Sequence, residues 1–221
     1  MMEFEHEVAV KICGVTSAAD ALDCVAAGAD MIGLNFSALS QRCLSPQRAA
    51  EILAAVRSNS SAMKFVGVFV NQELELVRKI AIDLELDAVQ LHGEETPGYV
   101  RDLDLPFVIK ALRVGGDFSE RGTIDYGSEA ILLDTWNSKL AGGTGETFPW
   151  SLAETFRAGV RRLILAGGLT SENVAAAIRT VRPFAVDVCS GVEVAPGQKE
   201  RAKVQRFVES VRALERTKSV P

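Results

Sequence analysis

Short, almost uninterrupted apolar runs alternate along the chain with stretches in which apolar residues recur every three or four positions. The runs are Val8–Ile12, Met31–Phe36, Lys64–Val70, Ala88–Leu91, Phe107–Ala111, Ala130–Leu133, Leu163–Ala166 and Ala185–Val188. Continuous apolarity of this kind marks parallel strands covered on both faces. Start and stop signals predict helices between them. Thr16 and Ser17 precede a helix over Ala18–Ala27 that Gly28 stops, and Ser45-Pro46 opens one running to Arg57. Asn71 precedes Gln72–Ile82, and Thr170 and Ser171 precede Glu172–Thr180. Eight β–α units in 221 residues predict an α/β protein, a single closed (β/α)8 TIM barrel over residues 1–221 with 217–221 a frayed tail. An open doubly wound sheet is the alternative, but it usually carries a glycine-rich nucleotide turn after its first strand. Cys13-Gly14-Val15-Thr16 is not such a turn.

Strand parity extends the reading. Side chains alternate across a strand, so a Cys13 that points into the barrel brings Lys11 with it. Applied to the ends of the other runs, the same rule turns Gln90, His92, Lys110, Asp134 and Asp187 inward. The expected mouth sets two cations, Lys11 and Lys110, against two anions, Asp134 and Asp187, a tolerable burial if they pair.

Composition changes this picture little. A hydrophobic share of 48% can fill a large core, and a net charge of −5 without a local Lys/Arg cluster excludes a nucleic-acid surface. Four scattered cysteines without a C-x-x-C pair, and two histidines, build no zinc site and suit a reduced, cytoplasmic chain. The acidic start has no signal-peptide core, and no apolar run is long enough to span a membrane.

Three features carry candidate chemistry. Cys13 closes the first strand, at the end where such barrels build their sites, with Lys11 one pleat away to favour a thiolate. A cysteine there can equally be a small buried hydrophobe. Asp134 closes Ile131-Leu132-Leu133, a partly dry position that should raise its pKa toward that of a general acid; a turn cap or lysine partner is the alternative. The turns Ala166-Gly167-Gly168-Leu169 and Cys189-Ser190-Gly191-Val192 follow the last two strands, where backbone N–H groups can cradle a phosphate. Arg42, after the second strand, could fork onto a carboxylate. Gly142–Gly145 reads as a mobile loop over the mouth, and His92 as a packing or hydrogen-bonding residue.

Together these segments resemble phosphoribosylanthranilate isomerases of tryptophan biosynthesis. The matching pieces are KICGVT at Lys11–Thr16, FVGVFVN at Phe65–Asn71, VQLHGE at Val89–Glu94, LLDT at Leu132–Thr135, GGTG at Gly142–Gly145, AGGL at Ala166–Leu169 and RPFAVDVCSGVE at Arg182–Glu193, then Pro196–Lys199. The resemblance implies a (β/α)8 barrel that performs an Amadori rearrangement of a small phosphoribosyl substrate without a cofactor or metal. It implies Cys13 as general base, Asp134 as general acid and Arg42 on the anthranilate carboxylate. It implies Gly167, Gly168, Ser190 and Gly191 on the phosphate, with no nucleic-acid or membrane partner and a monomer or homodimer. The chain departs from the common family pattern at Ser37, Ala38, Cys43, Glu146 and Pro149. Two rival readings are the related histidine-pathway sugar isomerase, which uses an aspartate where Cys13 stands, and an idle phosphosugar-binding barrel.

Overall fold

A computed structural model describes residues 2–114, 125–135, 150–157 and 159–218. The expected lid segment Gly142–Gly145, with Glu146 and Pro149, lies outside them. Eight strands close in chain order into one parallel barrel: β1 Ala9–Cys13, β2 Met31–Asn35, β3 Lys64–Phe69, β4 Ala88–Leu91, β5 Val108–Val114, β6 Ala130–Thr135, β7 Leu163–Ala166 and β8 Ala185–Val188. The described helices are α1 Ala18–Ala27, α2 Pro46–Arg57, α3 Leu74–Asp83, α4 Pro97–Leu103, α5 Trp150–Arg157, α6 Val174–Val181 and α7 Arg201–Lys218. A 3-10 turn at Ser190–Val192 and a small hairpin, β9 Glu193–Ala195 with β10 Gln198–Lys199, follow β8. Among the described residues no helix is long and apolar enough to cross a membrane.

The local signals act as read. Ser17 Oγ accepts from Asp20 N, and Gly28 ends α1 in the left-handed region at φ 82°. Ser45 caps α2 with Pro46 in its first turn. Helix α3 starts two residues later than expected, because Asn71 takes a left-handed conformation (φ 51°) and turns the chain before the helix. Helix α4 follows a Thr96-Pro97 cap that the apolar pattern did not reveal. Helix α7 reaches Lys218, two residues into the stretch expected to fray.

Two apolar layers define inside and outside. Ala9, Met31, Val66, Ala88, Ile109, Ala111, Ala130, Leu132, Ile164 and Ala185 fill the barrel interior. Met2 and the Phe4–Phe184 ring pair, 5.6 Å between centroids, close its lower end. The opposite strand faces pack against the helices. A repeated device ties the lower rim: the acid just before an even strand accepts from a backbone N–H of the odd strand before it. Asp30 takes Val10 N at 2.6 Å, Asp87 takes Phe65 N at 2.9 Å and Glu129 takes Val108 N at 2.7 Å.

The parity expectation holds for Lys11, Cys13, Gln90, His92, Asp134 and Asp187 and fails for Lys110. Ile109 and Ala111 belong to the interior layer, so Lys110 between them faces the helices. There its ammonium finds Glu95 at 2.8 Å and the carbonyls of Gly93 (2.6 Å) and Leu91 (3.3 Å). Three oxygens in the outer layer outbid the interior. The inner face of β5 instead ends at Arg113, the register partner of Asp134.

Candidate active site

The carboxyl ends of the strands surround a cavity of about 320 Å³. Cys13, Asp134, Arg42, Gly167, Gly168, Ser190 and Gly191 all line it, so the structure brings together every residue that the resemblance implied for the site. A larger groove of about 1260 Å³ opens at the other end of the barrel, lined by arginines and glutamates of the lower rim and α5. In barrels of this architecture reactive groups stand on the upper face, and the smaller cavity is the one that holds them.

On the β1–β8 side, Lys11 and Asp187 are register partners, and their side chains form an ion pair at 3.0 Å. Both are buried. Burial works against the Lys11 charge, but Asp187 and the Cys13 thiolate outweigh it and hold the ammonium above its ordinary value. Burial pushes the Asp187 carboxyl up to about 7, although Lys11 pulls the other way. Cys13 moves in the opposite direction. The neighbouring Cys189 thiol donates to its sulfur and Lys11 and Lys199 add positive charge, which together overcome burial and hold Cys13 well below the usual thiol range. Gly33, opposite Cys13 on β2, leaves the sulfur room: a Cβ there would stand 2.8 Å from Sγ.

Asp134 sits half-buried at the end of β6, and its Oδ2 lies 3.1 Å from His92 Nε2. His92 Nδ1 in turn lies 3.0 Å from Gln90 Nε2. Period-two alternation places Gln90 and His92 on one inner face, so the end of β4 supplies both residues that stand behind Asp134.

Arg42 crosses the mouth from the β2–α2 loop. Its Nε and Nη2 grip the two carboxylate oxygens of Glu193, at 2.8 and 2.5 Å. Glu193 also accepts from Lys199 Nζ (2.7 Å) and the Gly197 N–H (3.2 Å). Burial would raise this carboxyl, yet Arg42 and Lys199 hold it below the usual range. The fork expected to meet a substrate carboxylate is therefore anchored on one edge by a protein carboxylate, and its other edge, Nη1 with the second Nη2 N–H, is directed away from Glu193. Gly14 makes the crossing possible: its φ is 70°, and a Cβ there would collide with Arg42 Cδ.

Sequence reasoning missed Glu193 and Lys199, whose hairpin has no apolar run to announce it. The E of the SGVE segment and the lysine after Pro196-Gly197-Gln198 were the available signals.

The two glycine turns meet over the cavity. Gly167 and Gly168 are both left-handed, with φ of 81° and 63°. Asn173 fixes their turn by accepting from Thr170 N at 2.8 Å and donating to Gly168 O at 2.9 Å. A Cβ on Gly191 would collide with the Leu169 carbonyl, so only glycine lets the two loops touch. The N–H groups of Ser190 and Gly191 open a 3-10 turn, where donors have no partner within the turn.

Residues 10–210 match the family model described as N-(5′-phosphoribosyl)anthranilate isomerase. A Pelobacter propionicus protein of that name is 45% identical over 201 residues, covering 91% of this chain and 94% of the relative. The crystal structure of the Thermotoga maritima phosphoribosyl anthranilate isomerase superposes with a TM-score of 0.85 at 42% identity, over 93% of this chain and 99% of that one. A crystal structure of phosphoribosyl anthranilate isomerase in complex with reduced 1-(o-carboxyphenylamino)-1-deoxyribulose 5-phosphate superposes at 0.82 with 40% identity, over the same shares.

Proposed function

The chain belongs to the N-(5′-phosphoribosyl)anthranilate isomerase family of tryptophan biosynthesis, and from that premise we propose that Cys13 is the general base and Asp134 the general acid of its reaction. The observation that carries this reading is the convergence of a cysteine flanked by Lys11 and Lys199 and a histidine-anchored carboxyl on one cavity roofed by two glycine turns.

The substrate is a cyclic ribosylamine. Asp134 protonates the furanose ring oxygen, the C1′–O bond breaks and the aryl nitrogen lone pair forms a Schiff base at C1′. The Cys13 thiolate removes the C2′ proton, and the released electron pair moves onto C1′ and nitrogen as an enolamine. Tautomerisation gives the C2′ ketone, 1-(2-carboxyphenylamino)-1-deoxyribulose 5-phosphate. His92 holds Asp134 Oδ2, which leaves Oδ1 to carry the transferred proton. Lys11 and Lys199 supply the positive charge that keeps Cys13 ionised. Arg42 Nη1 meets the anthranilate carboxylate. The backbone of Gly167, Gly168, Ser190 and Gly191 receives the phosphate. The histidine-pathway alternative has no support here, because a cysteine occupies the position of its aspartate.

The test follows the loss of substrate fluorescence with the purified chain. Cys13→Ser and Asp134→Asn should each lower kcat by at least about a hundredfold while a reduced product analogue binds within a few-fold of normal. Near-normal kcat in either variant removes that residue from its role.

A further inference from the structure

Cys13 has a sulfur neighbour that takes no part in the bond changes of the isomerisation. Strands β1 and β8 pair in register through Ile12 and Val188, and Cys13 and Cys189 are the next residue of each. Adjacent strands lie about 4.8 Å apart, inside the range of about 4.4–6.8 Å that Cα atoms of a disulfide span. Both side chains line the same cavity, and Cys189 Sγ stands against Gly14, the residue that follows Cys13. Lys199 Nζ reaches Cys13 O at 2.5 Å, Cys189 O at 3.3 Å and Cys189 Sγ at 3.8 Å, pinning both strand ends together. All four cysteines are free thiols. Cys24 is sealed inside α1, where burial pushes its thiol up to about 12, and Cys43 is exposed on another loop.

We propose that Cys13 and Cys189 form a redox site: a dithiol that a small peroxide closes to a disulfide, stopping isomerisation, and that a reducing thiol reopens. The Cys13 thiolate attacks one peroxide oxygen; an S–O bond forms, the O–O bond breaks and hydroxide leaves. Cys189 then attacks Cys13 Sγ; the S–S bond forms, the S–O bond breaks and the departing hydroxide takes the Cys189 proton as water. The first hydroxide is neutralised by the proton that Cys13 gave up on ionising. Two electrons pass from the thiols to the peroxide, which becomes two waters. The environment times the second step. While Cys13 is a thiolate its hydrogen bond and charge hold the Cys189 proton firmly in place, together with burial. Sulfenylation removes that charge and leaves Lys199 beside Cys189 to favour its thiolate.

The effect on turnover rests on Cys13 as general base; the cross-link itself does not. The full chain is treated with hydrogen peroxide, digested without reductant and mapped by mass spectrometry, with turnover followed before and after dithiothreitol. The expected result is a Cys13–Cys189 linked peptide, loss of turnover by at least about a hundredfold in step with it, and recovery with dithiothreitol. Cys189→Ser, measured against its own untreated turnover, should instead go on to sulfinic acid at Cys13 and recover poorly. Inactivated protein without the linked peptide, or equal recovery in both proteins, would overturn the dithiol. A linked peptide with turnover intact would sustain the dithiol and overturn Cys13 as the base.

Discussion

At the level of single residues, His92 bridges an amide and a carboxyl: Nδ1 lies 3.0 Å from the Gln90 side-chain amide and Nε2 lies 3.1 Å from Asp134 Oδ2. Gln90 is thus a positioning residue two contacts away from the reacting atoms. Gln90→Met should lower kcat by about tenfold and move its pH profile, with KM little changed and Cys13 alkylation unaltered. An unchanged pH profile would mean that the His92–Asp134 contact does not need Gln90. The positions of Cys13 and Asp134 at the cavity were legible because each closes an apolar run, and a run's end is a visible place. The partners that set their states were not: Cys189, Lys199 and Glu193 come from the far end of the chain, and only the closure of β8 onto β1 brings them there.

Among the elements, β5 with the loop after β4 shows where pattern reading stops. The run Phe107–Ala111 locates the strand but ends it three residues short of Val114. Its alternation also gives no hint that a lysine prefers the helical layer. Lys110 faces outward because Glu95, nearly inaccessible like itself, awaits it with two carbonyls. This knot also receives the N–H groups of Asn71 and Gly93, so it fixes the loop that carries His92. Burial would raise the Glu95 carboxyl, but Lys110 and these N–H groups hold it below its ordinary range. Its contribution to stability is therefore full above the unfolded value of about 4.3 and fades as pH falls through the folded one. Lys110→Met should cost about 3–5 kcal/mol in urea unfolding at neutral pH, much of it restored by adding Glu95→Gln. A cost below about 1 kcal/mol would fit a solvated surface pair instead.

Across the whole molecule, the lower rim holds the strands together at the end of the barrel away from the chemistry. The lower rim is held by Asp30, Asp87 and Glu129, and α7 joins it through Arg212, which reaches Asp30 at 2.5 Å and Val8 O at 2.8 Å. Asp30→Ala removes an acceptor and an ion partner and should cost about 1–3 kcal/mol, with kcat unchanged in the folded fraction; a matching fall in kcat would contradict the separation. Strand count and closure were legible from eight runs of similar length. The rim was not, because an acid before a strand looks like any loop residue until the barrel sets it beside the preceding strand's amide.

The account turns on a thiolate at Cys13, so the pH dependence of its alkylation by iodoacetamide, compared with that of kcat/KM, tests it most directly. A folded value below the unfolded one of about 8.5 means reactivity rises with pH and levels off before that point. The expected result is a shared midpoint for both curves, well below about 8.5, that Lys11→Gln moves upward. Alkylation that rises only near or above about 8.5, or a kcat/KM midpoint that does not follow it, would contradict the account.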